Sequence, residues 1–190
     1  MPAEHALLGL LALSESGAGH GYELARHFGP DAPLGNVIRL EPGMVYHHLK
    51  KLDRFGWVSL LPEAASGRPA RRRFALSPAG RNELNRWLAE PVAHTREIRL
   101  DFLVKLYLAL LLDPTIAARL VQEQREICRR LAESLRARIR HGGDASSDSR
   151  ETRFSDLVLD MRLAQTQAAL DWIDRVEQEA AAVNGESASA

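Results

Sequence analysis

From Glu41 to Gly80 the chain reads EPGMVYHHLKKLDRFGWVSLLPEAASGRPARRRFALSPAG. Val45, Leu49 and Leu52 recur at i, i+4 and i+7, which places them on one stripe of a helix running from Pro42 to Phe55. Each residue turns a helix by about 100°. The opposite side therefore collects His47, Lys50, Lys51 and Arg54, with Met44 and His48 flanking it. Pro42 suits the first turn, where its missing N–H would have had no partner, and Gly56 ends the helix.

Trp57-Val58-Ser59-Leu60-Leu61 is rich in strand formers, Pro62 and Ala64-Ala65-Ser66-Gly67 turn the chain, and Ala70 to Leu76 returns. In the returning strand Phe74 and Leu76 share a buried face, Arg71 and Arg73 project to the other, and Arg68 sits at the tip of the turn. Ser77-Pro78 then caps a further helix whose inward stripe is Leu84, Trp87 and Leu88. Helix, basic-tipped hairpin and capped helix, in that order, predict a winged helix-turn-helix. A helix with an apolar back and a cationic front can lie in a major groove, where Arg and Lys meet phosphates and base edges. A hairpin carrying several guanidinium groups can grip the backbone or minor groove beside it.

The charge pattern agrees. Over the whole chain 25 basic residues balance 25 acidic ones, so the net charge excludes nothing. Between residues 39 and 82, however, nine basic residues (Arg39, Lys50, Lys51, Arg54, Arg68, Arg71, Arg72, Arg73, Arg81) face three acidic ones (Glu41, Asp53, Glu63), a local excess of six. Positive charge gathered on one module of a neutral chain orients it on a polyanion.

Working outward, Pro2 to Leu13 reads as a mostly apolar helix, Glu15 to Gly19 as a turn, and Tyr22 to Phe28 as a short helix supporting the next. The opening has neither a basic region before its apolar run nor a small-residue cleavage site after it, so it is not a secretion signal. Beyond Pro91, three long helices are predicted: Glu97 to Leu112, Pro114 to Arg140, and Thr152 to about Val183. Phe102 to Leu112 is apolar on nearly every side and is expected to be buried all round. With eleven residues interrupted by Lys105 it is too short for a bilayer, which needs about 20. In the second helix Ile116, Leu120, Ile127, Leu131, Leu135 and Ile139 form the stripe. In the third, Leu157, Met161, Ala164, Ala168 and Trp172 do so, with Val176 continuing the stripe. Long helices with narrow stripes call for a second chain, so the first five of these residues are the expected dimer interface. His141 to Ser149 reads as a polar loop and residues 184–190 as a disordered tail.

Enzyme readings find no support. The single Cys128 excludes an internal disulfide and a thiolate zinc cluster, which fits a reducing cytoplasm. It reads as a buried small hydrophobe, with a redox-sensing thiol as the alternative. The seven histidines are scattered, and His47 and His48 point about 100° apart on a helix, a poor metal pair. No nucleophile elbow, phosphate loop or paired-carboxylate motif is present, so no catalytic residue, metal site or cofactor is expected.

Five short motifs occur in order over the first half of the chain. They are Leu7-Leu8-Gly9-Leu10-Leu11-Ala12-Leu13; His20-Gly21-Tyr22-Glu23-Leu24; Pro42-Gly43 with Tyr46, Leu49, Leu52 and Gly56; Gly67-Arg68-Pro69; and Leu76-Ser77-Pro78-Ala79-Gly80. Together they resemble the PadR family of bacterial transcriptional regulators. The resemblance implies a dimeric winged-helix DNA-binding protein, usually a repressor, with a helical C-terminal part that makes the dimer. In some members that interface also holds an aromatic or drug-like effector. The chain departs from the family at Glu41, where Ser or Thr is usual, and at Met44-Val45-Tyr46-His47, where Thr-Leu-Tyr-Pro is usual.

The expectation is therefore a mainly α chain. Residues 1–91 form a winged-helix domain with a two-stranded β-hairpin wing, 92–183 an all-α dimerisation domain of long helices, and 184–190 a tail. The DNA-binding set is Gly43, Met44, Tyr46, His47, Lys50, Lys51, Arg54, Arg68, Arg71 and Arg73. Tyr46 is either a core aromatic or, from the resemblance, a phosphate contact through its hydroxyl. The expected partners are double-stranded DNA, a second copy of the chain and a small aromatic or hydrophobic effector, with no membrane. The function is repression by operator occlusion in the cytoplasm. The alternative is a winged-helix adaptor whose basic face binds an acidic protein.

Overall fold

A computed structural model describes residues 2–61, 72–142 and 150–187. Their contacts divide into two compact units, Met1–Glu90 with Arg99–Ala117, and Pro91–Ile98 with Ala118–Ala190.

The first unit is built on α1 (Pro2–Leu13), an apolar helix packed against the three helices around it. Leu7, Leu8 and Leu11 on α1 are fully buried. β1 (Ala18–His20) leads into α2 (Gly21–Arg26), and a short 3₁₀ turn at Pro33–Asn36 precedes α3 (Pro42–Arg54). β2 (Val58–Leu61) and β3 (Arg73–Leu76) precede α4 (Pro78–Ala89). Proline at the first position starts both α3 and α4, and at α4 the Ser77 hydroxyl accepts from the Gly80 N–H at 3.0 Å. Gly56 takes φ +70°, the left-handed conformation that stops α3 and turns the chain into β2. Val45, Leu49 and Leu52 are fully buried against the core, as their spacing predicts.

The mainly helical winged-helix architecture expected from the sequence is present, but the sheet is larger than a hairpin. β3 lies between β1 and β2, both antiparallel to it, with Gly19 opposite Phe74 and Leu60 opposite Phe74 on the other side. The stretch read as a turn thus contributes a third strand. Three residues are too few for period-two alternation to show. The wing tip, including Arg68 and Arg71, lies outside the described residues.

The first of the long helices predicted beyond Pro91, Glu97 to Leu112, is divided: a short α5 (Thr95–Glu97) is followed by a π turn at Ile98–Phe102 and then by α6 (Leu103–Leu112). α6 packs on α1 within the first unit. It is not buried all round, because Leu110 and Leu111 are about half exposed. Its lone charge is the better-buried group: Lys105 donates to the Trp87 and Glu90 carbonyls at the end of α4 and lies over the Trp87 ring. A cation at a helix C-terminus satisfies orphan carbonyls and meets the negative end of the dipole.

In the second unit α7 (Pro114–Gly142), from Ala118 onward, and α8 (Arg150–Ser187) run antiparallel. Arg125 pairs with Asp174 at 2.7 Å and Glu177 at 3.1 Å, while Arg136 donates to Gln167 at 2.7 Å. Gln124 is buried and reads the Val92 backbone with both ends of its amide, at 2.8 and 3.0 Å. α8 continues to Ser187, so the first four residues of the expected tail extend the helix and the last three lie outside the described residues.

Candidate nucleic-acid interface

The exposed side of α3 carries His47, Lys50 and Arg54, spaced three and four residues apart, with Gly43 and Met44 exposed at its start. Its buried side fixes this orientation: rolling the helix by one residue would expose Leu49 or bury Lys50. Arg73 on the central strand is half-buried, and its Nη2 donates to Ser16 Oγ at 2.8 Å, so part of its guanidinium is spent tying the β1 turn to the wing. The neighbouring Arg72 is exposed.

Tyr46 is half-buried and packed against the core. Its ring occupies the space beside Gly21, where an added Cβ would lie 2.5 Å from Cε1 and 3.0 Å from the hydroxyl oxygen. The HGY sequence at the start of α2 thus leaves room for an aromatic from α3. The ring is packed and its hydroxyl lies along the α2–α3 junction, so both readings of Tyr46 remain compatible with its position.

Lys50 and Lys51 are adjacent in sequence and differ in surroundings. Lys50 is exposed. Lys51 donates from Nζ to Glu4 Oε1 at 2.8 Å, and its side chain is 27% exposed against 3% for Glu4. His48 Nδ1 meets the same oxygen at 3.2 Å. Burial pushes the Glu4 carboxyl up, but the Lys51 hydrogen bond, the backbone and the charges of His48 and Lys51 together hold it below its ordinary 4.5. One residue along, His5 Nε2 lies 2.9 Å from Glu83 Oε1 and the ring stacks on Trp87 at 4.4 Å between centroids. α1 therefore fixes α3 through Glu4 and α4 through His5. Sequence reasoning passed over both residues. The available signal was a charged and a titratable group side by side in an otherwise apolar helix.

The expected interface residues on α8 divide cleanly. Leu157 and Met161 are 69% and 53% exposed, Ala164 and Ala168 are exposed, and Trp172 is half-buried. Phe154, one turn earlier, is 68% exposed. Phe154, Leu157, Met161, Ala164 and Ala168 follow one another at intervals of three and four, a heptad seam. A second seam, Leu159, Leu163, Thr166, Leu170 and Ile173, lies on the opposite side and is buried or half-buried in its own unit. There Thr166 Oγ1 and Thr95 Oγ1 are 2.9 Å apart.

Cys128 is buried, and burial pushes its thiol up against a lesser opposing effect of the Gln124 amide. At neutral pH it is a thiol, not the thiolate a redox sensor needs. Among the described residues no cluster of three or more His, Cys, Asp or Glu could hold a metal ion, and no helix is long and apolar enough to cross a membrane.

Two family matches lie end to end. Residues 8–86 match the transcriptional regulator PadR-like family and residues 98–180 match the family described as virulence activator alpha C-term. A probable transcriptional regulator of Mycobacterium tuberculosis is 38% identical over 96 residues, covering 50% of this chain and 48% of that protein. The negative transcriptional regulator PadR of Bacillus subtilis is 26% identical over 123 residues, 64% of each chain. The matched region thus spans between about half and two thirds of these relatives' length. The crystal structure of Bacillus subtilis PadR in complex with operator DNA aligns with a TM-score of 0.43 at 22% identity, covering 91% of this chain and 94% of that one. So loose a superposition supports no transfer of residue roles. The PadR-like match falls on the unit whose helix, sheet and exposed cationic face have just been described. Residues 8–86 of the chain form a domain similar to the PadR-like family of transcriptional regulators.

Proposed function

We propose that the protein is a sequence-specific DNA-binding regulator that acts as a cytoplasmic homodimer and represses by operator occlusion. The observation that carries the reading is the two-sided α3: Val45, Leu49 and Leu52 are fully buried while His47, Lys50 and Arg54 stand exposed on the opposite side. Gly43 and Met44 open that face, and Tyr46 flanks it. In this reading α3 enters the major groove, and Arg73 with the wing residues Arg68 and Arg71 meets the flanking backbone. Repression is favoured by the 26% identity to a negative regulator.

The homodimer rests on the exposed seam of α8. Phe154, Leu157 and Met161 are large apolar side chains presented at heptad spacing, with small Ala164 and Ala168 allowing close approach and Trp172 at the far end. A second copy of the same helix offers the same seam and is the simplest complement. Release by a small aromatic or hydrophobic effector rests on the family resemblance. The groove bordered by Pro91, Gln122, Glu123, Glu126, Ile127 and Arg130 is open and edged with charge, which suits such a molecule poorly.

The test is titration of the full-length protein with a duplex from its own promoter region across a range of salt. If each half-dimer neutralises about three phosphates, the log–log slope is on the order of −5. His47→Ala is expected to relax base preference, and Arg54→Ala to weaken all duplexes alike. Salt-independent affinity overturns the reading, and capture of an acidic protein in its place would favour the adaptor.

A further inference from the structure

Taking the DNA-binding reading as its premise, we infer that Glu4 is a positioning residue for DNA recognition: it withholds the Lys51 ammonium from the duplex and fixes the roll of α3 on α1. Three observations carry this. The Glu4 carboxylate is almost wholly buried, and its Oε1 accepts from Lys51 Nζ at 2.8 Å and meets His48 Nδ1 at 3.2 Å. Its other oxygen, Oε2, is buried without a hydrogen-bond partner among the described residues. Lys51 is adjacent to Lys50 and belongs to the same cationic run, yet it is the one whose charge is turned inward.

A half-satisfied buried carboxylate contributes little net stability, since its desolvation offsets most of the attraction to the cation. Its effect is instead geometric. Both of its partners are on α3, three residues apart, so the carboxylate holds that helix at two successive points along one edge. The exposed stripe His47, Lys50, Arg54 then presents to DNA in a fixed rotation. Lys51, engaged with Glu4, is removed from the set of groups free to bind phosphate indiscriminately. A regulator gains from this because cations that bind any duplex raise non-specific affinity without raising discrimination.

The experiment is a double-mutant cycle read by salt dependence on random-sequence duplex, using the full-length protein. In E4Q the freed ammonium adds a phosphate contact in each subunit, and the slope steepens by about two for a dimer. Replacing Lys51 with Gln in the E4Q background lowers the slope by about two more than the same replacement in the wild type. E4Q also narrows the ratio of operator to random-duplex affinity. Equal effects of K51Q in the two backgrounds overturn the inference while leaving the DNA reading intact. A wild-type protein with no salt-dependent affinity overturns the DNA reading and this inference with it. If E4Q does not fold, E4D supplies the cycle: its shorter reach loosens the pair, and an unchanged slope in E4D with unchanged specificity counts against the inference.

Discussion

Helix α3 and the long helix α8 each keep one face that their own chain leaves uncovered, and the two faces differ in chemistry. On α3 it is His47, Lys50 and Arg54, groups already hydrated, so exposure costs the free protein nothing and the face can wait for a polyanion. On α8 it is Phe154, Leu157 and Met161, whose exposure to water is unfavourable by roughly 1.5–3 kcal/mol for each large side chain left uncovered. An unfilled cationic face is a site for a transient partner. An unfilled apolar seam calls for a permanent one.

The largest effect should come from spoiling the seam. Leu157→Glu with Met161→Glu places charge at side chains that are 69% and 53% exposed, so the monomer keeps its fold and helical circular dichroism. Sedimentation should show loss of the dimer, and operator affinity should fall about 10²-fold or more because the second half-site is no longer linked. Retained dimer and retained affinity would move the self-association surface elsewhere and dissolve the contrast with α3.

A smaller effect is expected where α2 meets α3. Alanine in place of glycine inside a helix ordinarily stabilises by about 0.5–1 kcal/mol. At Gly21 the new Cβ would meet the Tyr46 ring at 2.5 Å, so Gly21→Ala should instead destabilise by about 1–3 kcal/mol in urea unfolding. The sign of the change decides whether Tyr46 is packed as tightly as its position implies.

The smallest concerns acid. Glu4 and Glu83 are both held below 4.5, Glu83 chiefly by the Arg86 hydrogen bond against burial, with His5 adding to it. Lowered carboxyls contribute stability that is fully present above their unfolded value and is lost as pH falls through the folded one. Urea midpoints should therefore hold near pH 6 and drop below about 4.5, and E4Q should show a shallower drop than the wild type. An equal drop in E4Q would assign the acid sensitivity to other groups.

Much of the fold was legible because apolar spacing on α3 and α4 has one reading, and because Pro42, Gly56 and Ser77-Pro78 mark where the elements begin and end. The errors have physical causes. β1 is three residues long and forms only because β3 is there to pair with it. α6 reads as apolar all round, but which of its leucines are covered depends on α1, which leaves Leu110 and Leu111 outside. Of the site, the cationic face was legible as a set, but its members were not distinguishable one from another.

Sequence by itself determined the helix–hairpin–helix order from α3 to α4, the buried stripe of α3, the cluster of positive charge and the apolar seam of α8, since each is a matter of local spacing and composition. Only the tertiary structure decided that Lys50 is exposed while Lys51 is turned onto Glu4, and that Arg73 is partly engaged with Ser16. The reason is range. Periodicity is a property of one segment, whereas the partner of a charge is chosen by the fold, here across 47 residues for Lys51 and 57 for Arg73.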